Sequence, residues 1–128
     1  MIYLDSSIAL ARLLSEVRSP PDQVWRQHLV SSTLLEYEVW NRIHAYQLAD
    51  ALGENARNLL ALVDTVEMTR SMLARALAPF PVPVRTLDGL HLATAEYLYR
   101  QDSSLEVGTY DEDLKTAATA LGIPVAEL

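Results

Sequence analysis

The chain contains no cysteine. That excludes a disulfide framework and any thiolate metal site, and it matches a reducing cytoplasm. Lysine is almost as scarce. Lys115 is the only one, against nine arginines. No basic segment followed by a long apolar one opens the chain, so no secretory leader is expected. No apolar run approaches the roughly 18 residues that a spanning helix needs, so no membrane association is expected.

Positive charge is the larger deficit. Seventeen acids face ten bases, for a formal net charge of −7. Nucleic-acid binders usually carry a basic patch that releases counterions, and none is visible here. One reading is a protein that avoids polyanions. The other is that some of the acids cluster around a divalent cation. Bulk charge does not choose between them.

Hydrophobic residues make up 50% of the chain and charged residues 21%, an ordinary balance for a globular protein. A length of 128 residues suits one domain with a sizeable core. No repeat or linker divides it, so a single unit over 1–128 is expected.

Met1–Leu4 reads as a short strand, and Ser7–Leu14 (SIALARLL) as a helix. SPPD at 19–22 breaks the pattern and can open a helix DQVWRQHL. Leu29–Ser32 is brief and apolar. Thr33–Leu52 reads as one long amphipathic helix ended by Gly53. Asn55–Val63 suggests a helix, Val66–Thr69 a strand and Ser71–Ala78 a helix. PFPVPV at 79–84 is too rich in proline for a helix interior. Leu90–Arg100 (LHLATAEYLYR) is a strongly apolar helix, and Leu105–Tyr110 (LEVGTY) a strand. Asp113–Leu121 is a helix with Gly122 as its C′ residue, and IPV at 123–125 a last short strand. Strands alternating with helices indicate α/β with a mainly parallel sheet. Such sheets bind ligands beyond the carboxyl ends of their strands.

Four places join an acid to the end of an apolar element. They are Asp5 after IYL, Glu36 and Glu38 in SSTLLEYEVWNR, Asp88 in RTLDGLHLATA, and Asp111 and Asp113 in GTYDEDLKTAA. An aspartate just before a helix is ordinarily an N-cap. A glutamate within an amphipathic helix is ordinarily solvated. Glu36 and Glu38 flank the stripe Leu35, Val39, Ile43 and Tyr46 on opposite sides, roughly 70–90° from its centre. The wheel therefore leaves both open. Two carboxylates 4 Å apart repel by about 4 kcal/mol at an effective dielectric near 20, so a cluster needs protons or a cation. Oxygen-only ligation suits Mg²⁺ or Mn²⁺. Such ions polarise phosphoryl oxygens and activate water, which points to phosphodiester hydrolysis.

The order of these motifs resembles the PIN domain, and more narrowly the VapC-type toxins of toxin–antitoxin pairs. A strand ending in LDSS is followed by SSTLLEYEVWNRI, then TLDGLHLATA, then GTYDEDLKTAATALGIPV. The likeness covers nearly the whole chain. Its most specific part is D-x-x-H-L-A-T-A followed by T-x-D-x-x-L and L-G-I-x-V. The resemblance implies a three-layer sandwich, with helices flanking a mainly parallel central sheet. It also implies a metal-dependent endoribonuclease whose catalytic, Mg²⁺- or Mn²⁺-binding acids are Asp5, Glu38, Asp88 and Asp111. Glu38 is chosen because the family's glutamate follows a small-residue pair by about six positions and precedes Val or Leu, as Ser32, Glu38 and Val39 do. Asp113 is the local alternative to Asp111. Ser6, Ser7 and Thr109 are candidates to orient the acids. His91, one turn after Asp88, is read as a packing and hydrogen-bonding residue, and Arg85 as a surface arginine within reach of substrate phosphate.

Partners follow from the same resemblance. They are an RNA substrate, a homodimer partner, and an antitoxin whose tail sets a basic side chain among the acids. Leu34, Leu35, Leu59, Leu60 and Leu62 are candidates for the groove that receives it, and equally for plain core. Three rivals stand beside this reading. A receiver-like phosphotransfer domain would want an acidic pair after the first strand, and Asp5 has no acidic neighbour. A catalytically silent PIN-like module would bind protein or RNA only. A DNA-directed nuclease of the same fold has no discriminator in the sequence.

Overall fold

The computed structural model describes residues 1–128. Four strands form one sheet: β1 (Ile2–Leu4), β2 (Leu29–Ser32), β3 (Val63–Val66) and β4 (Glu106–Gly108), in the order β3-β2-β1-β4. Every neighbouring pair is parallel. Such strands are covered on both faces, so they read as short continuous apolar runs rather than alternating ones. IYL and the start of LVSS are of this kind.

The two faces separate cleanly by alternation. Ile2, Leu4 and Leu29 join Ile8, Leu35, Val39, Ile43, Ala56 and Leu59 in one core. That core lies under α1 (Ser6–Leu13), α2 (Leu34–Ala45) and α3 (Ala49–Leu60). Tyr3, Val30 and Val107 join Leu92, Ala95, Leu114 and Ala118 in the other. It is covered by α5 (Thr86–Gln101) and α6 (Glu112–Ala120), while α4 (Arg70–Leu77) packs on α5. The result is the three-layer arrangement with a parallel sheet. No helix is long and apolar enough to cross a membrane.

Several expected boundaries are corrected. The helix expected over Thr33–Leu52 is two helices. At Gln47 the backbone turns left-handed, with φ 56°. Leu48 N–H then donates to Ile43 O at 2.9 Å and Gln47 N–H to His44 O at 3.0 Å, which is a Schellman closure with glutamine in the usual glycine place. Gly53 lies inside α3 and ends nothing. The strand expected over Val66–Thr69 runs instead over Val63–Val66, because pairing with β2 sets its register. DQVWRQHL yields only a 3-10 turn at Asp22–Arg26. Gly122 does close α6, with φ 78°, and the expected last strand is a single bridge between Val107 and Val125.

Of the leucines proposed for a receiving groove, Leu35 and Leu59 are core. Leu62 is exposed.

Candidate active site

Chain direction creates the site. The chain leaves β1 through α1 toward β2, and β4 joins β1 on its other side. The carboxyl ends of β1 and β4 therefore flank a switch point, where neighbouring connections part and leave a crevice. Asp5 follows β1, and Thr109, Tyr110 and Asp111 follow β4. Asp5 N–H donates to Gly108 O at 3.0 Å, which locks the two strand ends together. A Cβ at residue 108 would stand 2.8 Å from Ile2 Cγ2, so glycine permits this approach.

A cleft of about 540 Å³ opens at that edge. Asp5, Glu38, Asp88 and Asp111 all line it, together with Glu16, Arg42, Arg85 and Tyr110. Glu36 is exposed and lies outside the lining, as does Asp113. Asp113 instead lines an adjoining groove with Asp88 and Arg85.

Each acid is held differently. Asp5 is 5% exposed and caps α1, and Oδ2 receives all of its hydrogen bonds. They come from Ser7 N–H at 3.3 Å, Ser7 Oγ at 2.6 Å and Thr109 Oγ1 at 2.7 Å. Asp111 caps α6 through Oδ1 alone, accepting from the N–H groups of Asp113 and Leu114. Capping thus occupies one oxygen of each and leaves the other free. Asp88 was expected just ahead of its helix. It sits inside the first turn of α5, which begins at Thr86, and makes no cap bond.

Glu38 has both oxygens engaged. Ser6 Oγ donates to Oε2 at 3.1 Å, and His91 Nε2 meets Oε1. A carboxylate only accepts, so Nε2 carries a proton. The other ring nitrogen meets Tyr3 Oη at 2.7 Å, and Tyr3 Oη also accepts from Ser32 N–H at 3.2 Å. His91 is 1% exposed. Burial alone would lower its pKa, yet the bond to Glu38 and the charges of Glu38, Asp5 and Asp88 hold it above its ordinary value. Burial raises the Tyr3 hydroxyl well above the usual tyrosine range. The expectation that His91 packs and hydrogen-bonds matches this placement.

Asp88 reports the potential of the cleft. Burial first, and then the negative charges of Asp111, Asp5 and Glu38, raise its pKa to about 6. A carboxyl so displaced is one that is partly buried and faces other carboxylates.

A PIN-domain profile matches residues 2–120. The chain belongs to the PIN-domain family. Ribonuclease VapC46 of Mycobacterium tuberculosis is 34% identical over 133 residues, spanning 97% of this chain and 95% of that protein. Ribonuclease VapC47 of the same organism is 28% identical over 133 residues, spanning 98% and 96%. A toxin–antitoxin complex from Klebsiella pneumoniae superposes on 94% of both chains, with a TM-score of 0.65 at 17% identity. That likeness is one of fold.

The donor set of this PIN domain suits a hard cation. It offers only oxygens, and Asp5, Asp88 and Asp111 each keep an oxygen without a protein hydrogen bond. The four acids share the cleft wall, but no three acidic or imidazole side chains are close enough together to hold a metal ion as they stand. Glu38 is drawn to His91 instead. Sequence reading had not singled out Tyr3, Glu16 or Arg42. Strand alternation puts Tyr3 on the α5 face, away from Ile2 and Leu4. Arg42 falls four residues after Glu38, on the same helix face. Both signals were present and neither was distinctive.

Proposed function

We propose that the protein is a Mg²⁺- or Mn²⁺-dependent endoribonuclease, the toxin of a type II toxin–antitoxin pair, built as one PIN domain over 1–128. One observation carries the reading. Asp5, Glu38, Asp88 and Asp111 line a single cleft at the carboxyl edge of a parallel sheet, where burial and then the charges of the other three raise Asp88. The relatives named as ribonucleases match over nearly their whole length.

Asp5, Glu38, Asp88 and Asp111 are the residues that would hold the ion. When bound, a divalent ion polarises a phosphoryl oxygen and lowers the pKa of water. Ser7 and Thr109 fix the Asp5 carboxylate in place by crowding Oδ2 with donors. Ser6 and His91 do the same for Glu38, and buried Tyr3 sets the ring of His91. The hydroxyls of Ser6 and Ser7 are committed to these carboxylates, so attack on phosphorus falls to water rather than to a side chain. The antitoxin is read as a protein that places a guanidinium among the acids, where carboxylates meet it bidentately. The reading also carries a homodimer and a cytoplasmic location.

The test is RNA cleavage by the purified, partner-free protein in Mg²⁺, Mn²⁺ or EDTA. Cleavage should require the metal and disappear in Asp5→Ala and Glu38→Ala, and it should persist in Glu36→Ala. Loss in Glu36→Ala with retention in Glu38→Ala would keep the nuclease and move the glutamate. No cleavage with any metal would leave the silent binding module in its place.

A further inference from the structure

A polyanion entering this cleft meets five carboxylates, those of Asp5, Glu16, Glu38, Asp88 and Asp111. A metal ion among the acids answers for the scissile phosphate only. The phosphates beside it need cations of their own, and a chain of net charge −7 has few to offer.

Two are in place. Arg42 and Arg85 are the only basic side chains in the cleft lining. They come from different walls. Arg42 is on α2, one turn beyond Glu38. Arg85 caps the start of α5, three residues before Asp88. Neither forms an ion pair, although acids surround both. Arg12, Arg75, Arg100 and Lys115 elsewhere in the molecule do, while Arg18, Arg26, Arg57 and Arg70 are also unpaired but lie outside this cleft. The Arg42 guanidinium carbon lies over the ring of Tyr46, 5.8 Å from its centre. Both side chains are exposed. A phosphate can therefore take either guanidinium without breaking an existing bridge.

Arg85 has a further position. It lines the acidic cleft and two grooves that adjoin it, one bordered by Leu77, Phe80 and Val84 and the other by Pro83 and Asp113. It therefore joins the cleft to both grooves.

We propose that Arg42 and Arg85 grip the RNA phosphates on either side of the scissile one, within a single subunit. This rests on the ribonuclease reading above. The planar guanidinium donates paired N–H bonds to phosphate oxygens. The two walls hold the strand across the acids, and neither arginine touches the reacting bonds.

The probe is a fluorescein-labelled single-stranded RNA, bound in Ca²⁺ over a series of KCl concentrations and cleaved in Mg²⁺. Arg42→Gln and Arg85→Gln should each reduce the slope of log affinity against log salt by about 0.7, the value for one phosphate contact on a single strand. Each should raise KM about tenfold with kcat unchanged, as loss of uniform binding does. Arg70→Gln, an exposed arginine outside the cleft, should change neither. If wild type cuts RNA and both variants keep its slope and KM, the grip is wrong and the nuclease stands. A change in only one variant, or a fall in kcat alone, also overturns the paired grip. If wild type neither binds nor cuts RNA, the ribonuclease reading falls and takes the grip with it.

Discussion

Thr109 Oγ1 serves two site acids at once. It donates to Asp5 Oδ2 at 2.7 Å and accepts from Asp111 N–H at 3.0 Å. Thr109→Val keeps the shape and leaves both partners short of a bond, so denaturant unfolding should show a loss of about 1–3 kcal/mol. A neutral result would mean that Ser7 alone suffices for Asp5. Asp88 is the residue with a pH signature. The unfolded carboxyl titrates near 3.8 and the folded one near 6. Between those values the folded state holds the extra proton, so its stability falls as pH rises through that window. Asp88→Asn removes this dependence. In thermal melts from about pH 4 to pH 7, wild type should lose ground to the variant up to about pH 6 and then run parallel to it. Curves parallel throughout would mean that the cleft does not raise Asp88. At Asp5 and Asp111 the cap takes one oxygen and leaves the other without a protein hydrogen bond. A carboxylate has two oxygens, so the sequence already leaves a cap compatible with a site role, and the structure adds which oxygen each cap uses.

At the scale of elements, the break between α2 and α3 was hidden. Apolar spacing runs on through Tyr46–Leu48 without a glycine or proline, and the one glycine nearby is Gly53. Closure at Gln47 brings Leu48 against the core, and packing outweighs local preference. Gln47→Gly should relieve the left-handed strain and stabilise by about 0.5–1 kcal/mol. Gly53→Ala should also stabilise, by about 0.5–1 kcal/mol. A Cβ there would meet Trp40 and Arg57 atoms at an ordinary 3.6 Å. Chemical denaturation of both variants tests the boundary. If Gly53 ended a helix, alanine there would destabilise instead. By contrast Gly122 was legible, since a helix pattern followed by Gly-Ile-Pro has few other readings. The strand over Val63–Val66 was misplaced because register comes from its neighbour.

For the whole molecule, the excess of acid is organised rather than diffuse. Five of the seventeen acids line one cleft, and a cation that binds there binds the folded state alone. Mg²⁺ should therefore raise Tm, by an amount equivalent to about 2.7 kcal/mol at one hundred times its Kd. The rise should be larger at neutral pH than near pH 5, because the Asp88 proton competes with the ion. NaCl at equal ionic strength should give much less. Equal effects of both salts would mean general screening and no site.

By itself the sequence determined the alternation of strand and helix, the parallel sheet, and the short list of candidate acids. These follow from apolar spacing and from where an acid ends an apolar run, both local properties. The tertiary structure decided which acids meet. Glu38 turns into the cleft and Glu36 does not, because the hydroxyl of Ser6 and the buried ring of His91 receive Glu38. It also decided that Tyr3 supports that ring and that Arg42 and Arg85 remain unpaired among carboxylates. Such facts depend on side chains brought together from 88 residues apart, as Tyr3 and His91 are, and no local pattern records them.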